Sequence, residues 1–362
     1  MTATAIVNAN VYDHETGKFF KGSVLIEKEK IKAVTAAENG FDGCSKIDAE
    51  GCFLTPGFID TCSQIGLKET GLRWEGDDSF EPMGEETHRL QVIDGIYPFD
   101  PSFHEAVSNG VTAAHVVSSP GSVTGARTAV IHTWGITVDQ MVLRKHLGYS
   151  FSLGDIPKRT FWERTKTPLT RMGIARQIRN VLKNLKKNGN LAETSVFFRC
   201  HRADDIMTAF RIAREFDIPF HIIHGTEYAK VKDELPAGGI SVIAGPCFQP
   251  MDREELRNLD YTMYRTLFDN NVLFTFATDH PTSFVRHLHL EGVLALKAGV
   301  PEKTVLNSLT SDAARLLKID HLTGKIQRGL YADLVLWSQH PLDLTARAVR
   351  TFIKGKQVYH AG

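Results

Sequence analysis

The sequence has no excess of charge of either sign, because its 42 lysines and arginines are balanced by 42 aspartates and glutamates. A balanced chain creates no general field that would attract nucleic acid or an anionic membrane, so we expect neither as a partner. Cysteines are few, five in 362 residues, and no two of them form a C-x-x-C pair. An odd and scattered set argues against a disulfide framework and indicates a reducing compartment.

Long hydrophobic runs are also absent. The longest apolar stretches, such as residues 272–277, have the length of a strand and fall far short of the roughly 20 residues that a membrane-spanning helix needs. Residues 1–12 lack the basic region and apolar run of a signal peptide. We therefore predict a soluble, cytoplasmic protein. Its length predicts two domains, or one large α/β barrel with an accessory piece.

The middle of the chain alternates between two kinds of pattern. Short apolar runs of strand type are separated by segments whose apolar residues recur at helical spacing, for example Ile174, Ile178 and Val181. Repeated β–α units predict a parallel sheet with right-handed crossovers. The strand candidates are residues 111–117, 196–200, 220–223, 240–244 and 272–277.

Both ends of the chain are rich in short β-branched strands instead. Strands are predicted at 5–11, 22–27 and 31–34, and again at 333–337, 350–354 and 357–359. Each end needs an apolar partner, so we predict that they pair into one small β-sandwich built from residues 1–54 and 320–362. Residues 55–319 would form the barrel, with a long loop at 68–101 over its mouth.

Polar side chains follow several of the predicted barrel strands. His201 and His224 end two successive strands, and Asp279 ends the last one. Active sites of α/β barrels lie at the carboxyl ends of the strands. Neutral imidazoles bind a divalent metal, and a carboxylate can take a proton from metal-bound water. The alternatives are purely structural roles: the histidines would form hydrogen bonds in the core, and the aspartate would cap a turn.

Five motifs together resemble the amidohydrolase superfamily, in particular its imidazolonepropionase-like branch. They are Thr-Pro-Gly-Phe-Ile-Asp at 55–60, His-Arg-Ala-Asp-Asp-Ile at 201–206, Ile-His-Gly-Thr-Glu at 223–227, Thr-Asp-His-Pro at 278–281, and Gly-Lys-Ile with Gly-Leu-Tyr-Ala-Asp-Leu-Val-Leu-Trp between 324 and 337. The resemblance implies a distorted (β/α)8 TIM barrel with a small β-sandwich from both termini. It also implies metal-assisted hydrolysis of non-peptide C–N bonds, with His224 as a metal ligand and Asp279 as general base.

The sequence departs from the family pattern at three ligand positions. Where the family carries His-x-His after the first barrel strand, this chain has Cys62 and Gln64, and glutamine is a poor ligand for a transition metal. Where related sequences carry the first histidine of a second His-x-His, this chain has Arg199. A permanently charged guanidinium repels a metal and cannot ligate it. Arg199 could instead fill the vacated cation position, or bind a carboxylate or phosphate of a substrate.

Relatives that work with one metal hold it with an acidic residue and two later histidines. Asp155 lies where close relatives carry that acidic residue, and the alternative is that it caps a turn before Pro157. His201 faces the same side of its strand as Arg199 and could substitute for the lost ligand. The resemblance thus predicts one divalent metal, probably zinc if any is bound, on Asp155, His201 and His224.

Three hypotheses remain open at this stage. The first is hydrolysis of a small amide or cyclic amide by water activated at one metal, with Asp279 as base. The second is a degenerate relative that lacks the metal and acts as a binding or scaffold protein. The third is metal-free acid/base chemistry that uses Arg199 and Asp279. The expected partner is a small-molecule substrate, and a homo-oligomer is compatible with the sequence.

Overall fold

A computed structural model describes residues 3–36, 41, 43–81, 84–163, 168–191, 194–236 and 239–362, without the side chains of residues 84–86. The strands in these ranges belong to two sheets of eight strands each. In chain order they are β1 (Thr4–Asp13), β2 (Lys18–Glu27), β3 (Lys30–Thr35), β4 (Ser45–Asp48), β5 (Phe53–Pro56), β6 (Phe58–Ser63), β7 (Val111–Val116), β8 (Thr124–His132), β9 (Val142–Ser152), β10 (Ser195–Cys200), β11 (Phe220–His224), β12 (Ser241–Ala244), β13 (Leu273–Phe276), β14 (Leu334–Trp337), β15 (Ala348–Ile353) and β16 (Lys356–His360).

The helices lie between the strands of the middle part of the chain. The α-helices are α1 (Pro101–Ser108), α2 (Val138–Met141), α3 (Asp155–Glu163), α4 (Arg171–Lys187), α5 (Ala203–Phe216), α6 (Met263–Asp269), α7 (Leu288–Lys297), α8 (Glu302–Leu309) and α9 (Ser311–Leu316). Short 3-10 helices occupy Trp74–Gly76, Gly84–Arg89, Val92–Asp94, Tyr228–Lys230, Lys232–Glu234, Glu254–Leu256 and Val285–His287. No helix within the described ranges combines the length and the apolar composition that crossing a bilayer requires.

The second sheet is a nearly closed barrel in the order β6 to β13. Strands β6, β7 and β10 are buried along their whole length, as expected for strands covered on both faces. Side-chain and loop contacts join the two ends of the sheet: the Thr61 hydroxyl donates to the carbonyl of Phe276 at 2.7 Å, and the Asp279 amide donates to the carbonyl of Cys62 at 2.9 Å. The predicted fold class, a distorted TIM barrel with a small β domain from both termini, is confirmed.

One part of the barrel differs from the predicted succession of parallel strands. Strand β8 runs antiparallel to both β7 and β9, and the other neighbouring pairs of the barrel are parallel. Residues 124–152 thus form a hairpin, with the short helix α2 at its turn. Strands β8 and β9 were not predicted, because periodicity alone does not distinguish a crossover helix from a buried antiparallel hairpin.

The terminal strands form one continuous sheet, in the order β16-β15-β14-β5-β1-β2-β3 with β4 beside β1. Strand β5 joins the two ends of the chain, since it pairs in parallel with β1 and antiparallel with β14. The boundaries that we assigned to the two domains stay a prediction. The segment at 68–101 was predicted to lie over the barrel mouth. Its first residue, Lys68, lines the cavity there. Leu90 of the same segment lies against β8 instead, where its carbonyl accepts from the amide of Arg127 at 2.9 Å.

A buried histidine–aspartate contact joins the barrel to the terminal sheet. His132, the last residue of β8, contacts Asp333 at 2.9 Å between Nε2 and Oδ2, and the amide of Lys354 donates to Oδ1 of the same carboxylate at 2.8 Å. Both side chains are at most 1% exposed. Burial opposes ionisation, but His132 and the bonded amide hold the pKa of Asp333 below its usual value.

Replacing Asp333 by asparagine is expected to lower the free energy of unfolding by about 2 kcal/mol at pH 7, because a buried charged acceptor is lost. Since the pKa of Asp333 is lower in the folded state, its contribution is present above the unfolded pKa and is lost as the pH falls through the folded one. Urea denaturation from pH 7 downward measures this difference. Asp233→Asn, at a side chain that is 84% exposed, is the matched control, and equal effects of the two substitutions would contradict the assigned role.

Candidate active site at the barrel mouth

A cavity of about 480 Å³ opens at the carboxyl ends of the barrel strands. Its floor carries side chains from β10, β11 and the segment after β13, and its wall comes from the loops after β9 and β12. Polar groups dominate the lining, as expected where a barrel places its chemistry. The lining residues are Gln64, Lys68, Ser119, Pro120, Leu153, Ile156, Arg159, Arg199, His201, His224, Gln249, Pro250, Asp252, Arg253, Glu255, Asp279, Pro281 and Thr282.

Arg199 is the central group of the cavity floor. It projects from β10, is 3% exposed, and donates from Nη1 to Oδ1 of Asp279 at 2.5 Å. The same nitrogen lies 3.3 Å from Nε2 of His224, and Nη2 lies 3.3 Å from the sulfur of Cys62. Burial alone would lower the pKa of Arg199, but the Asp279 carboxylate raises it above its usual value. The guanidinium therefore keeps its charge within a buried cluster.

Asp279 sits on a loop that the barrel holds tightly. Its backbone is left-handed, with φ +48°, and so is that of His224, with φ +77°. Non-glycine residues adopt this region at a cost and cluster at functional sites. Thr282 donates to Oδ2 of Asp279 at 3.3 Å, and the Gln64 amide nitrogen lies 3.5 Å from Oδ1. The carboxylate thus faces the cavity with its position fixed from several sides.

Asp60 anchors the start of that loop from below. It is fully buried in the middle of β6 and accepts hydrogen bonds from the amide and the hydroxyl of Thr278. Burial raises the pKa of Asp60 to about 7, against the lowering effect of these bonds. Asp60 therefore ties the first barrel strand to the residue that precedes Asp279, which sets where the Asp279 carboxylate lies.

The two histidines stack on each other with their ring centroids 4.2 Å apart and their planes at 9°. His224 Nδ1 contacts the carbonyl of Gly245 at 2.7 Å, which makes Nδ1 the protonated nitrogen and leaves Nε2 as an acceptor toward Arg199. Burial lowers the pKa of His224 to about 3, with Arg199 acting in the same direction. Burial also lowers the pKa of His201 well below its usual value, so both rings are neutral at physiological pH.

Asp155 lies apart from these histidines. It begins α3, and its carboxylate accepts from Nη1 of Arg253 at 3.1 Å. Nowhere in the part of the chain that the structure describes do three or more His, Cys, Asp or Glu side chains converge so as to hold a metal ion. The structure thus brings His201, His224 and Asp279 to one cavity and does not bring Asp155 into a ligand set with them. The ion pair with Arg253 is the physical reason.

The atoms that surround Arg199 do not fit a divalent metal either, although of the predicted ligands Asp155, His201 and His224 only His224 is among them. The carboxylate of Asp279, Nε2 of His224 and the sulfur of Cys62 all contact the Arg199 guanidinium. A metal bound to these atoms at about 2.0–2.3 Å would overlap the side chain of Arg199, and its charge would be repelled. Burial also raises the pKa of the Cys62 thiol, which disfavours the thiolate that metal binding requires.

Glu255 lines the cavity and was not predicted from the sequence. It is 3% exposed, and its Oε1 accepts from the amide of Asp155 at 2.7 Å and from Nη2 of Arg171 at 3.1 Å. Gly154, with φ +97°, makes this approach possible, because a Cβ there would lie 2.4 Å from Oε1. Burial, followed by the bond and charge of Asp155, raises the pKa of Glu255 to about 8. Glu255 belongs to no sequence motif, because its contacts come from segments that are far apart in the chain.

Replacing Glu255 by glutamine is expected to remove a pH dependence of stability. Its folded-state pKa of about 8 lies above its ordinary value of 4.5, so its contribution to stability is complete below about pH 4.5 and is lost as the pH rises to about 8. The wild type should lose about 4 kcal/mol relative to Glu255→Gln between pH 5 and pH 8.5. Urea denaturation of both proteins across this range is the measurement, and parallel curves would refute the shift.

Comparison with known proteins gives consistent matches. The model of the Amidohydrolase family matches residues 223–358. The crystal structure of an amidohydrolase from Thermotoga maritima MSB8 is 32% identical, covers 99% of this chain and 100% of its own, and has a TM-score of 0.93.

More distant matches extend the comparison. Amidohydrolase tasK of Hapsidospora irregularis is 24% identical over 92% of this chain, and the chain spans 39% of the length of that relative. A β-aspartyl dipeptidase from Fervidobacterium islandicum AW-1 in complex with a β-Asp-Leu dipeptide is 18% identical with a TM-score of 0.61 over 99% of this chain and 97% of its own, which shows a shared fold. None of these matches distinguishes the imidazolonepropionase-like branch, so that assignment stays a prediction.

Proposed function

The chain belongs to the amidohydrolase superfamily, and on that premise we propose that it hydrolyses a non-peptide C–N bond in a small amide or cyclic amide. The observation that carries the proposal is the Asp279 carboxylate, fixed at the floor of a polar cavity beside a buried guanidinium. A carboxylate in such a place can accept a proton from an attacking water. The family membership supports a hydrolase.

In the mechanism that the geometry favours, Arg199 supplies the positive charge. Asp279 takes a proton from a water as its oxygen bonds to the substrate carbonyl carbon. The Arg199 guanidinium, which lines the cavity, opposes the negative charge that develops on the carbonyl oxygen. The C–N bond then breaks, and the proton held by Asp279 passes to the leaving nitrogen. Water and amide are thus converted into acid and amine without a metal.

The cavity wall supports an anionic substrate. Lys68, Arg159 and Arg253 line the cavity, where Arg253 also contacts the carboxylates of Asp155 at 3.1 Å and Asp252 at 3.8 Å. A carboxylate on the substrate would be attracted there and oriented by a guanidinium fork. A small-molecule substrate with a free carboxylate is therefore the first class to assay. A homo-oligomer and a cytoplasmic location stay predictions.

A second candidate function is binding without hydrolysis. The observation that favours it is the short contact of Asp279 with Arg199, because the guanidinium occupies Oδ1, one of the two oxygens that could accept a proton from water. The one-metal mechanism on Asp155, His201 and His224 remains a prediction without a converging donor set in the described residues.

An assay of purified protein against N-acyl amino acids, cyclic imides and lactams decides between these candidates. We expect turnover of at least one carboxylate-bearing amide, at the same rate with and without a strong chelator. Loss of the rate in Asp279→Asn excludes a contaminating hydrolase. Turnover that stops with chelator and returns with zinc would contradict the metal-free mechanism. Saturable binding of the same compounds without any turnover would favour the binding function.

A further inference from the structure

Three potential metal-binding atoms in the cavity floor surround one cationic group. Nη1 of Arg199 contacts the Asp279 carboxylate at 2.5 Å and Nε2 of His224 at 3.3 Å, and Nη2 contacts the sulfur of Cys62 at 3.3 Å. Carboxylate oxygen, imidazole nitrogen and thiolate sulfur are the atoms that bind zinc in proteins. Around an ordinary buried arginine, backbone carbonyls and carboxylates would be the expected partners, and a thiol sulfur is only a weak acceptor.

His224 is also oriented as a ligating histidine would be. Its Nδ1 contacts the backbone carbonyl of Gly245 at 2.7 Å, which fixes the tautomer and directs the lone pair of Nε2 into the cavity floor. In metal sites, the second nitrogen of a ligating histidine makes this kind of bond, and the bond orients the ring. Here the fixed lone pair meets Nη1 of Arg199.

The charges at this point balance. Asp279 contributes one negative charge, its carboxylate is almost fully buried, and Arg199 contributes the compensating positive charge 2.5 Å away. A buried carboxylate needs such a partner because removal from water disfavours its charged form. The partner is fixed by β10, whose residue Arg199 pairs with Ser152 of β9 and Ile223 of β11. Folding of β10 into the barrel therefore places the guanidinium beside the carboxylate.

We propose that the Arg199 guanidinium permanently occupies a divalent-metal site, whose remaining donors are Cys62, His224 and Asp279. The protein then takes no metal there while Arg199 is present, and it takes one divalent metal when Arg199 is replaced by histidine. While the guanidinium is in place, the donors contact two different nitrogens and do not converge on one point. Once it is removed, they are free to close around a single ion. This inference concerns occupancy and does not depend on the reaction proposed above.

The test measures metal binding by the full chain, not catalysis. Zinc and cobalt(II) chloride are the probes, added after chelator treatment and gel filtration. For the wild type we expect less than a tenth of an equivalent of bound metal and no change of melting temperature with zinc. For Arg199→His we expect about one equivalent, and a melting temperature that zinc raises by several degrees because the ion binds only the folded state.

Cobalt reports which atoms ligate. A sulfur-to-cobalt absorption band in Arg199→His that disappears in the added background of Cys62→Ser would identify Cys62 as a ligand. Adding His224→Ala should reduce cobalt affinity at least tenfold. Arg179→His places an extra histidine at a surface position where Arg179 pairs with Glu215, and it controls for non-specific binding.

Two results would overturn the inference. One is a stoichiometric metal in the wild type that His224→Ala removes, because the guanidinium would then not exclude the ion. The other is a folded Arg199→His protein that binds no more metal than Arg179→His. If Arg199→His does not fold, Arg199→Ala is measured with and without zinc instead. A melting temperature of Arg199→Ala that rises with zinc supports the proposal. A folded Arg199→Ala whose melting temperature does not change with zinc contradicts it. Failure to find any substrate would leave both metal measurements intact.

Discussion

Asp279→Asn should lower kcat for a hydrolysed amide by about 10³-fold, because the side-chain amide cannot accept a proton from the attacking water. The substitution keeps the size of the side chain and an oxygen that can accept from Nη1 of Arg199, as Oδ1 does now. KM should change less than kcat, since the carboxylate acts on the water and the outer cavity binds the substrate. Steady-state kinetics on a substrate found in the chelator-insensitive assay provide the measurement.

The control for this substitution is Asp233→Asn, which neutralises an exposed carboxylate that does not line the cavity. Its kcat and KM should equal those of the wild type. Retention of more than a tenth of the wild-type kcat in Asp279→Asn would remove Asp279 from the role of general base. Near-ultraviolet circular dichroism of both variants checks that the fold is retained, so that a loss of rate reports chemistry.

The largest expected effect on stability comes from Arg199→Met, which should lower the free energy of unfolding by about 3–5 kcal/mol. Methionine fills much of the space of the arginine stem but leaves the Asp279 carboxylate buried without its cation. The two side chains are only 4% and 7% exposed, so water cannot replace the lost partner without rearrangement. Urea denaturation at pH 7 and constant ionic strength measures the loss.

The double variant Arg199→Met with Asp279→Asn separates charge from packing. It should recover most of the stability lost in Arg199→Met, because neither buried charge then lacks a partner. The coupling energy of the two substitutions should therefore be at least about 2 kcal/mol in this cycle. Additive losses would show that Arg199 stabilises the protein by its packing alone, and they would weaken the electrostatic account of the site.

Much of the fold follows from local sequence patterns. The short β-branched segments near the start of the chain predicted β1, β2 and β3 to within a few residues. The helical spacing of Ile174, Ile178 and Val181 predicted α4. These elements are governed by the burial of one face, which periodicity records directly. The hairpin of β8 and β9 did not follow, because its buried residues read the same whether the connection runs parallel or antiparallel.

The candidate site, like the fold, was predictable only in part. His224 and Asp279 were predicted to lie near each other because the carboxyl ends of barrel strands meet at one rim, and Nε2 of His224 lies 3.9 Å from Oδ2 of Asp279. The direction of the Asp155 side chain was not predictable, since its partner Arg253 is 98 residues away and belongs to an irregular loop. Glu255 was missed for a related reason: its environment arises only when loops and helices from three parts of the chain have packed together.

The ion pair of Arg199 and Asp279 also bears on how the molecule withstands changes in its surroundings. A charge that belongs to the polypeptide is present at full occupancy in every folded copy, from synthesis onward. It cannot be stripped by dilution, captured by competing ligands in the cell, or replaced by the wrong ion when trace elements are scarce or abundant. The same tether fixes its magnitude at one elementary charge, whereas a divalent transition-metal ion would carry two and polarise its neighbours more strongly.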